Sequence, residues 1–319
     1  MLAGGVALGR PSAGIAQQMP VIGFLGSATP ESWAPRLRQF NQGLADAGFA
    51  DGRNVRIEYR WAEGRNDRLP AMAADLVARQ VSVIAAVGST PAAMAAKAAT
   101  ATIPIVFEIA GNPVEIGLVS SLARPGGNIT GITTLNSEVE PKRLELLHEL
   151  LPAAATIAVV INPTSPAIAA STTAILQATA LRLGVRLIFI QAGSEADFDS
   201  VFSTIAERNI GAVVFGADAL FTSRLDQLAA LALQHRLASI YQFREFAAAG
   251  GLLSYGASLT ETFNLAGNYT GRILKGEKPA ELPVQQATKV ELIINLKTAK
   301  TLGLTMPLSL LGRADEVIE

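Results

Sequence analysis

Gly88-Ser89-Thr90 lies between an apolar run ending at Val87 and a helical pattern opening at Pro91. It is the first place in the chain where residue types and spacing suit binding chemistry. Val81, Val83, Ile84 and Val87 read as a short parallel strand buried on both faces. Gly88 permits a tight turn, Ser89 and Thr90 are helix-capping types, and Pro91 suits a first helical position. Such a junction aims unpaired N–H groups and the positive end of a helix dipole at whatever lies above the strand, which suits a small carboxylate. The alternative is a turn whose side chains cap their own helix. Asp218 is a second such place, closely following the apolar strand Ala212-Val213-Val214-Phe215. A carboxylate there can hold an ammonium group by a charge-assisted contact, or it can cap the next helix. Read together, Ser89, Thr90 and Asp218 form opposite poles for a zwitterion.

The elements that must position these residues alternate regularly. Strands start near residues 21, 55, 81, 103 and 129, with helical patterns between them. After Pro152 the pattern begins again, with strands at Thr156–Ile161, Val185–Gln191, Gly211–Gly216 and Ala238–Tyr241. Helices at Pro166–Leu183, Ala196–Arg208 and Ser223–Arg236 separate them. This is the signature of α/β architecture: two Rossmann-like halves with parallel, doubly wound sheets. A strand at Leu252–Tyr255, a helix at Leu259–Leu274, an extended segment at Leu282–Thr288 and a late element from Val290 to Leu302 follow, with Pro307 ending the pattern. These are too few for a third domain and are expected to complete the two sheets, so the chain crosses between lobes several times. Ligands in open α/β sheets bind beyond the carboxyl ends of the strands. That rule nominates Ser27, Thr29, Trp33, Ser89, Thr90 and Asn112 from the first half. From the second it nominates Asn162, Asp218, Phe221, Phe243 and Glu245, with Tyr241 and Tyr255 as further apolar wall.

Composition excludes several classes. Half of the 319 residues are hydrophobic, 17% are charged and the formal net charge is −1, so nothing electrostatic favours nucleic acid or an anionic membrane as partner. With no cysteine there is no disulfide framework, thiolate nucleophile or Cys-ligated metal. His148 and His235, the sole histidines, fall inside predicted helices, which leaves little material for a Ser-His-Asp arrangement. No metal-ligand spacing, GxGxxG or GxxxxGK[ST] occurs, so neither cofactor nor metal is expected and nothing demands catalysis. Met1–Gly9 is short, apolar and small, and Gly14-Ile15-Ala16 resembles a small-x-small cleavage site. The expectation is the remnant of a signal peptide over 1–19 whose start lies upstream, with a soluble mature protein beginning near Gln17.

Three longer stretches carry a family resemblance. Gly48-Phe49-x-x-Gly52-Arg53-Asn54-Val55 leads into Ile57-Glu58-Tyr59-Arg60-Trp61-Ala62-Glu63-Gly64. Ser121-Leu122-Ala123-Arg124-Pro125-Gly126-Gly127-Asn128-Ile129-Thr130-Gly131 is followed by Lys142-Arg143-Leu144-Glu145-Leu146-Leu147. Leu282-Pro283-Val284-Gln285-Gln286 precedes Ile294-Asn295-Leu296-Lys297-Thr298-Ala299-Lys300-x-Leu302-Gly303-Leu304. In this order they resemble the ABC transporter substrate-binding proteins related to tryptophan/tyrosine uptake, from about Val21 to the C-terminus. The resemblance implies a type I periplasmic-binding-protein fold, with three hinge crossings and the ligand held between lobes. It further implies a periplasmic monomer that delivers a small zwitterion, an aromatic or branched amino acid, to an inner-membrane ABC permease. Ser89 and Thr90 match the family's Gly-Ser/Thr helix start, and Asp218 its acidic residue on the second lobe. Asn112-Pro113-Val114 departs from the family's usual Asp-Pro-Val. The lobes are expected at 20–134 plus 252–284 and at 135–251 plus 285–319. Other readings are a binding protein for a sugar or carboxylate, against which the sparse aromatics weigh, or a Rossmann-type enzyme, against which the absent nucleotide fingerprints weigh.

Overall fold

The computed structural model describes residues 19–134, 139–287 and 289–319. The leader expected at 1–19, apart from Met19, lies outside the described residues. The first lobe begins β1 (Val21–Gly26), α1 (Pro30–Asp46), β2 (Arg56–Trp61) and α2 (Leu69–Ala78). It continues through β3 (Val83–Val87), α3 (Thr90–Ala99), β4 (Ile105–Ile109) and β5 (Ile129–Thr133). The chain then enters the second lobe with α4 (Glu140–Leu150), β6 (Thr156–Ile161), α5 (Pro166–Leu183), β7 (Arg186–Gln191) and α6 (Phe198–Glu207). There follow β8 (Ala212–Phe215), α7 (Ala219–Ser223), α8 (Leu225–Gln234), β9 (Ala238–Tyr241), α9 (Arg244–Ala248) and β10 (Leu253–Ala257). It returns to the first lobe for α10 (Leu259–Leu274) and β11 (Gln285–Gln286). It crosses a last time for β12 (Val290–Asn295), α11 (Leu296–Leu302), α12 (Leu308–Leu311) and β13 (Glu316–Ile318).

The first sheet is six-stranded in the order β11-β5-β4-β3-β1-β2, and the second seven-stranded in the order β13-β12-β10-β9-β8-β6-β7. All pairings are parallel except β10 with β12, which runs antiparallel. Each sheet is two-sided and buried, as parallel sheets are. β3 shows this: every residue from Val83 to Val87 is buried, and Ala92, Ala93 and Ala96 of α3 pack in the same core. Small side chains let that helix approach closely.

The structure differs from the expected lobe boundaries at two points. The strand at Leu253–Ala257 pairs with β9 and so belongs to the second sheet, whereas the expected first lobe takes 252–284 whole. Gln285 and Gln286 pair with Ile132 and Thr133, on the first sheet's side of the last crossing. Hydrogen-bond pairing between strands decides both cases, and no local pattern encodes it. Order also continues past Pro307, because β13 adds in parallel to β12. Two of the recognisable stretches prove architectural. Thr130 Oγ1 donates to the Leu282 carbonyl at 2.6 Å, tying β5 to the returning chain. Asn295 caps α11 by accepting from the Thr298 N–H at 2.9 Å and donates to the Ala247 carbonyl at 2.8 Å.

α10 is the element that commits the returning chain to the first lobe, and it does so by backbone contact with α1. A Cβ on Gly267 would lie 1.9 Å from the Phe40 carbonyl oxygen, and one on Gly43 would lie 1.8 Å from that of Asn264. Neither obstacle is a side chain that can swing aside. Gly267→Ala should therefore lower stability by about 1–3 kcal/mol through forced separation of the helices. Thermal unfolding checks this, with a wild-type melting temperature contradicting it.

Candidate functional site

The carboxyl ends of both sheets face one another, and the space between them is a cleft with two chambers. The inner chamber takes Trp33, Ser89, Thr90, Glu108 and Phe263 from the first lobe. Asp218, Gln242, Phe243 and Ile168 close it from the second. The outer chamber lies between Ser27, Thr29, Glu63 and Arg65 on one side and Asn162, Ser194, Glu195 and Arg224 on the other. Asp218 and Ala219 border both. The lobes are in direct contact around this space. Arg36 Nη2 donates to the Thr222 carbonyl at 3.0 Å, and Asn66 Nδ2 donates to Thr164 Oγ1 at 3.0 Å.

Ser89 caps α3, its Oγ accepting from the Ala92 N–H at 3.2 Å, and it also shares a hydrogen bond with Ser27 Oγ. Its hydroxyl is thus engaged within the protein. Thr90, the next residue, makes no side-chain hydrogen bond to any described residue and borders the cleft. So of the two hydroxyls nominated for a carboxylate, Thr90 is the one left to donate. Gly88 has φ +83, and a Cβ there would sit 2.6 Å from the Trp33 ring, so glycine lets the edge of the indole approach the turn closely. Arg36 stacks on that indole at 4.5 Å from the ring centroid.

Asp218 takes the capping role considered for it. It caps α7, Oδ1 accepting from the Leu220 N–H at 2.8 Å and from Asn162 Nδ2 at 2.8 Å, while Oδ2 accepts from Ser165 Oγ at 2.6 Å. A carboxylate accepts about four hydrogen bonds, and the Ala219 N–H adds to these three, so the protein itself meets most of what Asp218 needs. Burial pushes its carboxyl group up, against the Ser165, Asn162 and Leu220 contacts that favour the charge. Its loop is held from behind: Glu140 Oε1 accepts from the Ala217 N–H at 3.0 Å, and the wholly buried Glu140–Arg143 pair anchors Arg143 to the Tyr255 carbonyl at 3.0 Å.

The other nominated residues divide by location. Ser27 and Thr29 border the outer chamber, and Trp33 and Phe243 the inner one. Asn162 holds Asp218 and shapes its own turn through the Thr164 N–H at 2.9 Å. Five nominees lie outside both chambers. Asn112 forms a turn, accepting from the Val114 N–H at 3.1 Å. Phe221 is fully buried among Phe198 and Phe215. Tyr241 lies behind the wall, its hydroxyl sharing a hydrogen bond with Thr222 at 2.7 Å. Glu245 is in the first turn of α9, and Tyr255 packs into the second lobe's core. Phe221 and Tyr241 in particular point into the layer beneath the cleft. His148 and His235 do not border the cleft either, and no cluster that could hold a metal occurs among the described residues.

The residue that strand-end reasoning passed over is Glu108, which lies within β4 and not after it. It is 3% exposed, and its carboxyl group is pushed up to about 7 by burial, partly offset by the Gly88 amide and by Arg36. Its signal was present as a lone charge in the apolar run Ile105-Val106-Phe107-Glu108-Ile109. Because the folded carboxyl group titrates above its ordinary 4.5, Glu108 favours the folded state below that value. That contribution is lost as pH rises through about 7. The full span amounts to on the order of 3 kcal/mol. Glu108→Gln should thus gain stability relative to wild type between pH 5 and pH 8 in urea unfolding of the unliganded protein. A pH-independent difference would contradict the assignment.

Comparison with known proteins agrees with this architecture. A tyrosine-binding protein of Clostridioides difficile (strain R20291) is 28% identical over 265 residues, 83% of this chain and 75% of that one. The crystal structure of a conserved domain protein from Vibrio cholerae superposes with a TM-score of 0.85 at 29% identity, covering 94% of this chain and 100% of the other. An ABC domain from Streptococcus pneumonia in complex with L-Trp gives 0.80 at 25% identity, covering 94% and 99%. The family described as ABC transporter substrate binding protein matches residues 32–318, and with two α/β lobes closing on one cleft the chain belongs to that family.

Proposed function

We propose that this protein captures an aromatic amino acid in the inner chamber and presents it, with the lobes closed, to an ABC permease at the outer face of the inner membrane. The observation that carries the reading is the pairing of a free donor, Thr90, and a buried carboxylate, Asp218, at the edge of a chamber walled by Trp33, Phe243 and Phe263. An α-carboxylate fits the Thr90 side, where the N-terminus of α3 adds its dipole. An α-ammonium fits Asp218 Oδ2, and the ring fits the aromatic wall. The names of the relatives, a tyrosine-binding protein and a structure holding L-Trp, support the same class of ligand. A periplasmic monomer suits this role, and the apolar leader at the N-terminus suits export.

Closure follows from differential contact. Thr90 and Asp218 belong to different lobes, so a ligand touching both binds the closed form better than the open one and shifts the population toward it. Chemical denaturation with L-tyrosine, L-tryptophan, L-phenylalanine and L-leucine tests the reading. At one hundred times its Kd a true ligand adds about 2.7 kcal/mol to stability. Thr90→Val and Asp218→Asn should each weaken that binding by about tenfold or more, since one removes a donor and the other a counter-charge. Absence of stabilisation by every amino acid, or undiminished binding in Asp218→Asn, would overturn it.

A further inference from the structure

The inner chamber has a polar group that a zwitterion's two charged ends do not use. Glu108 sits beside Gly88, with Trp33, Leu259 and Phe263 lining the same chamber. No side chain among the described residues donates a hydrogen bond to its carboxylate. Gln242 adds an unmatched acceptor: its Nε2 donates to the Tyr241 hydroxyl at 3.1 Å, while its buried Oε1 has no partner. A carboxylate met only by the Gly88 amide and a carbonyl oxygen with no partner, set in aromatic and aliphatic walls, suit an occupant that brings an O–H or N–H. A purely hydrocarbon side chain would leave Gln242 Oε1 unpaired and give Glu108 nothing beyond the Gly88 amide, which is costly.

We propose that Glu108 reads the tip of the ligand's side chain, accepting a hydrogen bond from the O–H of a phenol or the N–H of an indole, and so separates tyrosine and tryptophan from phenylalanine. The inference rests on the aromatic amino acid reading above. A chamber built to hydrogen-bond a ligand group rejects the analogue that lacks it far more strongly than a merely apolar chamber can. The charged groups around Glu108 are few. Arg36 on α1 acts on it from behind Trp33, and Asp218 borders the chamber from the second lobe. Glu245 on α9 and Tyr241 on β9 act on Arg36.

Isothermal titration at pH 8 with L-tyrosine, L-tryptophan and L-phenylalanine tests this on wild type, Glu108→Gln and Glu108→Leu. The wild type should bind tyrosine or tryptophan at least about tenfold more tightly than phenylalanine. Glu108→Leu should erase that preference while keeping phenylalanine binding, and Glu108→Gln, which retains an acceptor, should keep part of it. A preference unchanged in Glu108→Leu, or a wild type that treats all three alike, overturns the role of Glu108 and leaves the aromatic reading standing. Binding of none of the three by the wild type overturns both. Should Glu108→Leu not fold, the wild-type preference measured at pH 6 and pH 8 decides: it should shrink at pH 6 and stay flat in Glu108→Gln, and an identical pH response in the two would overturn the proposal.

Discussion

The closed arrangement depends on a guanidinium buried between two lobes. Arg36 rises from α1, donates to the Ser32 carbonyl at 2.9 Å within its own helix, and reaches across to the Thr222 carbonyl at 3.0 Å. Its flat face rests on Trp33, and its Nε has no partner. Burial lowers its affinity for a proton, while Glu245, Tyr241, Asp226 and Glu108 sustain its charge. A cation held in this way is costly to desolvate, and its neutral carbonyl partners return only part of that cost. When the lobes part, water replaces the Thr222 carbonyl. A ligand that touches both lobes adds its differential affinity to this contact.

The same residue joins the latch to the chamber. Trp33 has Arg36 on its ring and Gly88 beneath its edge, so the indole that walls the cleft is also the surface on which the latch is laid. Behind Asp218, Glu140 holds the Ala217 N–H, and its ion-pair partner Arg143 holds the Tyr255 carbonyl just before the chain crosses back to the first lobe. The floor of the second-lobe site and one hinge strand therefore share a buried ionic support. Removing either partner alone would leave an uncompensated charge, a far larger perturbation than a surface substitution. The cleft is a place where two supported half-sites meet, each stiff and neither complete.

Most of the fold was legible because buried parallel strands and capped helices leave local marks: apolar runs, Pro at a helix start, Gly at an end. The helices Pro166–Leu183 and Leu259–Leu274 coincide with their periodic patterns. What was not legible is non-local. The sheet to which Leu253–Ala257 belongs is decided by pairing with β9 and β12, and β13 by its fit along β12. In the site, the strand-end rule found Ser89, Thr90, Trp33 and Asp218, since their positions follow from where strands stop. The same rule also gathered Tyr241 and Phe221, whose side chains turn inward, because a strand end does not specify which face a residue takes. Glu108 was missed for the opposite reason: a charge inside an apolar strand lies outside the rule but is visible as an exception to the run.

The central claim is that an aromatic amino acid is held between the lobes by Thr90 on one side and Asp218 on the other. A crystal structure grown with L-tryptophan tests it most directly. The account predicts the carboxylate at Thr90, the ammonium at Asp218 Oδ2, the ring against Trp33 and Phe263, and Arg36 still bonded to the Thr222 carbonyl. An empty cleft, or an amino acid bound with its ring in the outer chamber away from Trp33, would contradict it.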